Sequence, residues 1–298
     1  MRFDISLTVE YDYDSASDHA RNLLHVFPAM ISGRQNVIAG LLSVDPVPPE
    51  RWDGVDFFGN PTTWISFHQP IDRIEVSLRA SVERLPAEAA LELSVGLETL
   101  ARDIASVHSL EPLAPHHFLG PSVRTGPEPD MTAFARACLS PGMTTAQAVA
   151  AIGHALYSEM TFDAEATDVH TPPAEAFANR HGVCQDFTHI MIACLRGIGI
   201  PAGYVSGFLR TLPPPGQPRL EGADAMHAWV RAWCGREAGW IEFDPTNDVF
   251  VAQDHIVIGF GRDYFDVAPV RGMMRTAGGQ ASHHSVDVVP AEPEPAGR

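Results

Sequence analysis

The hydrophobic period changes at about Pro86, and that change limits the folds open to the chain. In "FDISLTVEYDY" Phe3, Ile5, Leu7, Val9 and Tyr11 alternate with polar or smaller residues, the period-2 signature of strands with one buried face. "TTWISFHQ" and "DRIEVSLRASVERL" read alike, with Ile74, Val76 and Leu78 sharing a face in the second. Turns bearing Pro and Gly, "DPVPPERWDG" and "FFGNP", separate them. From about Pro86 the spacing becomes helical. Strands grouped first and helices after predict an α+β chain that opens with an antiparallel, β-sandwich-like domain.

"PAEAALELSVGLETLARDIASV" and "DMTAFARACL" are helix-like. In "TTAQAVAAIGHALYSEM", Val149, Ile152, Leu156 and Met160 repeat at helical spacing behind a Thr-rich N-cap. "TPPAEAFANRHG" predicts a turn or two of helix ending at Gly182. The next segment is the plainest: Phe187, Ile190, Met191, Cys194 and Leu195 form one apolar face from Cys184 onward, and Arg196 and Gly197 close it. "AGYVSGFL", "MHAWVRAW" and "GWIEFDP" then read as strands. The expected organisation is a β-rich domain over 1–85, a helical connecting region over 86–140, a core over 141–275 and a tail over 276–298. The end, "VVPAEPEPAGR", has the Pro and Glu content of a frayed segment.

Several function classes are disfavoured by composition. A net charge of −17 over 298 residues argues against a nucleic-acid partner, which needs clustered Lys and Arg. No apolar run approaches membrane-spanning length, and "MRFDISLTVEYDYD" lacks the pattern of a secretory signal. Cys138, Cys184, Cys194 and Cys234 are widely spaced, without CxxC pairs, so the sequence predicts free thiols in a reducing cytoplasm. Oligomeric state carries no signal.

A single cysteine at a helix start poses the functional question. A thiolate nucleophile needs stabilisation of its charge, a base within hydrogen-bond reach and a group that orients the base. Cys184 in the first turn of a helix gains the first from exposed backbone N–H groups and the helix dipole, and those N–H groups can also receive an oxyanion. Gly182 removes bulk where a substrate carbonyl would approach. Taken alone, the same position suits a small buried hydrophobe. The partners come from "MHAWVRAWCGREAGWIEFDP". Pairing the two strand-like runs about "CGRE" sets Trp233 opposite Ala238, Arg231 opposite Trp240, Trp229 opposite Glu242 and His227 opposite Asp244. Opposed residues have Cβ atoms about 4.5–5.5 Å apart on one face. A bulge near Gly239 would shift that register.

With these residues in place, the segment from Cys184 to Asp248 resembles the transglutaminase-like superfamily, cysteine enzymes with a Cys…His…Asp order on a papain-like core. "GVCQDFTHIMIACLRGIGIPAGYVSGF", "HAWV" and "GWIEFDPTND" carry the resemblance. "DHIVIGFGRDYFDVAPVRG" looks like the continuation found in the bacterial branch, and "VDFFGNPTTWISF" like its N-terminal domain. The resemblance implies a transglutaminase-like catalytic core in which a nucleophile helix packs on an antiparallel sheet. It implies Cys184 as nucleophile, His227 as general acid/base and Asp244 as the residue that orients His227. The chemistry implied is attack on an amide carbonyl and a thioester resolved by water or a second amine. A peptide or protein amide is the expected substrate, and an amine acceptor the alternative to water. Hydrolysis is preferred because water is always present; a catalytically inactive binding or scaffold protein on the same fold is the contrasting reading, and arylamine-type acyl transfer a third. No cofactor or metal is implied.

Other residues have plainer readings. His189, about 140° around the helix from Cys184, should face elsewhere, and His181 should be exposed. Asp186 suits the exposed amides of the first helical turn. Gln185 and Tyr157 are unsupported candidates for a side-chain oxyanion donor. Trp229, Trp233 and Trp240 fit hairpin packing, Cys194 the core, and His283 and His284 an exposed tail. Gly259 and Gly261 lack the strand-then-helix context of a phosphate loop.

Overall fold

In the computed structural model, which describes residues 1–17, 19–86, 93–211, 224–274 and 279–291, the period-2 third of the chain forms six strands. These are β1 (Arg2–Ser17), β2 (Ala20–Leu24), β3 (Gln35–Asp45), β4 (Glu50–Val55), β5 (Pro61–Phe67) and β6 (Ile71–Arg84). Then come α1 (Leu97–Ala105), α2 (Pro129–Ala137), α3 (Thr145–Glu159), β7 (Thr161–Phe162), α4 (Pro173–Asn179) and β8 (His181–Gly182). The remaining elements are α5 (Cys184–Gly197), β9 (Ala202–Leu209), β10 (Ala225–Trp233), β11 (Trp240–Asp244), β12 (Val249–Phe250), β13 (His255–Gly261), α6 (Tyr264–Val267), β14 (Val270–Met274) and β15 (Gln280–Pro290). The molecule is α+β: an N-terminal β-rich region followed by a mixed core. Of the helix-like stretch read from Pro86, residues 87–92 lie outside the described ones, and α1 begins at Leu97.

Two four-stranded sheets, ordered β15-β1-β6-β3 and β14-β2-β5-β4, make the β-rich region. The alternating residues Phe3, Ile5, Leu7, Ile74, Val76 and Leu78 fill one core cluster with Leu24, Ile65 and Phe67 of the second sheet, so the pattern read from sequence buries one face of each strand. The C-terminal reading needs correction. Residues 280–290 are not a tail: β15 pairs with β1 from Phe3↔Pro290 to Tyr13↔Gln280. The cause is a second short alternation, "SVDVV", whose Val286 and Val288 are fully buried against the β1 side of the core. His283 and His284 are exposed, as read, but on this strand. Residues 292–298, where the Pro and Glu content concentrates, are outside the described ones.

The core sheet is antiparallel, in the order β12-β11-β10-β9-β13. The helix α5 packs on β10 and β9, and Phe187, Ile190, Met191, Cys194 and Leu195 are all buried in a cluster with Ala228, Val230, Ala232 and Phe243. The N-terminus of α3 is closed by Thr144 and Gln147, each side chain accepting from the other's backbone N–H, the reciprocal cap expected of that sequence. The helix α4 stops earlier than Gly182, at Arg180, which takes a left-handed conformation with φ 58°. No helix among the described residues is long and apolar enough to cross a membrane.

The hairpin register differs from the expected one by two residues. Trp233 pairs with Trp240, Arg231 with Glu242, and the ladder ends at Val230↔Phe243. The connection is wider than a tight turn at "CGRE": Gly235 and Gly239 both adopt positive φ, and Gly239 donates its backbone N–H to the Gly235 carbonyl. Because side chains alternate with period two, a shift of two keeps every residue on its expected face. His227 and Asp244 are therefore diagonal rather than opposed, yet on one side of the sheet.

The edge strand β13 is seated by the N-terminal region. Gln35 donates to the Val257 carbonyl and accepts from the Val257 N–H, at 2.7 and 2.8 Å. Asn60 does the same at Phe260, at 2.7 Å for each bond. Two side-chain amides thus take the place of a neighbouring strand and cover the edge. Close neighbours also explain the glycine pair of this segment. A Cβ on Gly259 would lie 2.8 Å from the Asn60 amide carbon, and one on Gly261 2.7 Å from the Asp266 Cβ, so both glycines serve packing.

Candidate active site

Cys184 is the first residue of α5 and is half-buried. Its approach is fixed by a short parallel pairing, Thr161↔His181 and Phe162↔Gly182. Asp186 Oδ2 accepts from the Val183 N–H at 2.8 Å and from the Thr167 hydroxyl at 2.6 Å. Asp186 therefore has the structural role read for it. It also accounts for Gly182, because a Cβ there would come within 2.6 Å of the Asp186 carboxylate. The glycine makes room for Asp186, and the expectation that it clears a path for substrate is replaced. Burial pushes the Asp186 carboxyl up, against its hydrogen bonds to Thr167 and Val183, and its Oδ1 is buried without a partner.

His227 lies three residues into β10, its side chain 8 % exposed, and Asp244 ends β11 with none exposed. His227 Nε2 and Asp244 Oδ2 are 2.7 Å apart. Cys184 is among the groups that act on the His227 ring, while the hydrogen-bond contacts of that ring are with Asp244 and Asn247. Burial pulls the His227 imidazole down, but the hydrogen bond to Asp244 and the neighbouring Cys184 push it up to about 10. Burial raises the Asp244 carboxyl, and bonds from His227, His255 and Asn247 outweigh it, holding it below the usual carboxylate range. A carboxylate that accepts several hydrogen bonds behaves this way.

Asp244 has further partners that the sequence did not announce. His255 Nε2 lies 3.0 Å from the same Oδ2. Asn247 Nδ2 donates to that oxygen at 2.7 Å, and the Thr246 N–H donates to Oδ1 at 2.9 Å. Asn247 sits in the quoted "FDPTND", three residues past Asp244, a spacing at which a side chain can turn back. His255 opens an otherwise apolar strand; a polar residue at the mouth of a buried run was the available signal.

Donor atoms of His227, Asp244 and His255 lie within 4.8 Å of one another, the one grouping of metal-ligand type among the described residues. Both imidazole nitrogens converge on a single carboxylate oxygen at hydrogen-bond distances, which suits protons between the atoms.

The remaining readings sort cleanly. His189 is buried, accepts from the Tyr264 N–H at 3.2 Å and is pulled down to about 4, first by burial. His181 is half-buried rather than exposed. Tyr157 is exposed on α3 and Gln185 buried on α5. Burial pushes the thiols of Cys194 and Cys234 up, to about 12 for Cys234. Trp229 and Trp233 are buried, and Trp240 meets Phe118 edge-on and carries the Arg231 guanidinium over its ring.

With this geometry in view, known proteins place the chain. Residues 132–245 match the family described as transglutaminase-like superfamily, and residues 3–83 match the bacterial transglutaminase-like N-terminal region. An uncharacterized protein of Mycobacterium tuberculosis is 33% identical over 301 residues, covering 98% of this chain and 93% of its own length. One of Mycobacterium leprae is 30% identical over 267 residues, covering 88% of this chain and 89% of its own length. A crystal structure from Cytophaga hutchinsonii superposes with a TM-score of 0.76 at 21% identity, covering 99% of this chain and 93% of that one.

Proposed function

The chain belongs to the bacterial transglutaminase-like superfamily, and from that premise we propose that it performs cysteine-dependent amide chemistry through a thioester, with hydrolysis of a peptide or isopeptide bond as the reaction. One observation carries the reading: an imidazole held 2.7 Å from a buried carboxylate has as its neighbour a half-buried thiol at a helix start, which raises its proton affinity. The similar Cytophaga hutchinsonii protein is itself proposed to be a cysteine protease. Four free thiols and no disulfide support a reducing, cytoplasmic setting.

In this mechanism His227, its proton affinity raised to about 10, is the imidazolium beside Cys184. Sγ attacks the amide carbonyl carbon, and the oxyanion turns toward the first-turn N–H groups of α5. The C–N bond breaks as His227 gives its proton to the amine, leaving a thioester. His227 then takes a proton from water, hydroxide adds to the thioester, and the C–S bond breaks to return carboxylate and thiolate. Asp244 accepts from Nε2 throughout and keeps the other ring nitrogen toward sulfur.

Mass spectrometry of the protein incubated with peptides and amines tests the reading. An acyl adduct on Cys184, absent in Cys184→Ala, is the expected result, and water rather than amine should resolve it. Amine-dependent resolution would convert the reaction to transglutaminase-type transfer. Iodoacetamide labelling of Cys184 no faster than of Cys138, with no adduct, would leave a binding protein on an inactive fold.

A further inference from the structure

We propose that His255 is a positioning residue: its Nε2–H, donated to Asp244 Oδ2, fixes the carboxylate for His227, so that two histidines share one acceptor oxygen and only one of them serves the thiol. The inference rests on the proposed roles of Cys184, His227 and Asp244.

The geometry is asymmetric. Both imidazoles reach Oδ2 through Nε2, at 2.7 Å for His227 and 3.0 Å for His255. Cys184 acts on the His227 ring, whereas Nδ1 of His255 is buried with no partner. A hydrogen bond to Asp244 through Nε2 requires the proton on Nε2, and in that tautomer Nδ1 is a bare lone pair. The opposite tautomer would bury an unpaired N–H and set a lone pair against a carboxylate, a costlier arrangement.

His255 is held for this purpose from outside the catalytic hairpin. It begins β13 and pairs with Leu209 of β9, and two residues on, Val257 is clamped by Gln35. Its ring packs edge-on against Trp229 at 5.1 Å between centroids. Trp229 donates its indole N–H to Glu242 at 2.8 Å and so has a fixed plane. A Cβ on Gly207 would overlap the Trp229 ring, so the absent side chain leaves room for the indole beside the two imidazoles. The β11 ladder with β10 stops at Phe243, which leaves Asp244 free of strand pairing on that side. Asn247, Thr246 and His255 supply the restraint that the ladder does not.

The titratable groups facing Asp244 are His227 from β10 and His255 from β13, with Cys184 from α5 behind His227. Glu242, Arg34 and Arg231 form the neighbouring charged cluster. Removing one donor from Asp244 lets the coupled system take up a proton at higher pH. The acid limb of the pH profile for Cys184 alkylation should therefore move up in His255→Phe by about one to two pH units, the range of a charge-assisted hydrogen bond. It should return toward wild type in His255→Gln, which keeps an N–H donor. A structural role alone would lower stability in both variants without moving the limb.

Alkylation is read at Cys184 by mass spectrometry across pH in the full chain, with melting curves recorded in parallel. If wild-type Cys184 reacts no faster than Cys138, the catalytic reading fails on its own. If wild type reacts fast and His255→Phe superimposes on it, the His255 proposal fails and the catalytic reading stands. Should His255→Phe not fold, imidazole nitrogen NMR of the wild type decides: the Nε2–H tautomer supports the proposal, and the Nδ1–H tautomer overturns it.

Discussion

Two carboxylates sit two residues apart on β11, on the same face and equally buried, and they live in opposite electrostatic company. Glu242 faces cations that keep their charge. Arg34 reaches it at 2.8 Å, Trp229 donates at 2.8 Å, and Arg231 pairs with it across the hairpin, between the rings of Trp240 and Phe260. Asp244 faces imidazoles, which can give and take protons near neutral pH. Burial raises both carboxyls, and in both the partners win and bring them down. The lesson lies in the partner. A guanidinium makes a buried carboxylate a fixed tie between the hairpin and the N-terminal region, because Arg34 precedes Glu242 by 208 residues. An imidazole leaves the same group as the acceptor that holds a titratable ring in place.

Three substitutions can break that contrast. The largest effect belongs to Asp244→Asn, which keeps size and most hydrogen-bonding while removing the charge that fixes the His227 tautomer. Turnover, or acyl-adduct formation on Cys184, should fall by about 10⁴-fold with the melting curve little changed; kinetics close to wild type would show that another residue holds His227. Next is Glu242→Gln, which leaves Arg231 buried without its counter-charge. It should cost roughly 3–5 kcal/mol of stability in denaturant unfolding, while Cys184 in the folded fraction alkylates at the wild-type rate. A large loss of Cys184 reactivity in folded protein would mean that the two clusters act as one.

The smallest effect is a slope. His227 gains protons on folding, its value rising from 6.5 to about 10. Its stabilisation is therefore complete below about 6.5 and is lost as pH rises through about 10. Asp244 and Glu242, both lowered, act on the other side: their contribution is present above the ordinary carboxylate value and lost as pH falls through the folded one. Replacing His227 by Gln should flatten stability between neutral pH and about 10 and leave the acid side in place. An unchanged alkaline slope would assign it elsewhere.

Much of the site was legible because it depends on local spacing. The 3.6-residue period placed Cys184 at the start of a buried helix and Cys194 inside it, where the structure has them. Strand alternation put His227 and Asp244 on one face even though the register was two residues off, since only parity decides the face. His255 was beyond that reasoning. Its strand is seated by Gln35, 222 residues from Val257, and by Asn60, 200 residues from Phe260, and no local period encodes contacts that distant. The strand formed by residues 280–290 escaped for the same reason, its two valines gaining a partner only once β1 is folded.

By itself, then, the sequence determined the class of fold, the helix that presents Cys184 and the face shared by His227 and Asp244, because periodicity and alternation are properties of the chain. Tertiary structure alone decided that Arg34 ties Glu242. It also decided that a second histidine reaches Asp244 and that the C-terminal strand closes the N-terminal sheet. Those outcomes depend on how distant segments pack, where burial removes water and leaves each polar group the partners that the fold brings within reach.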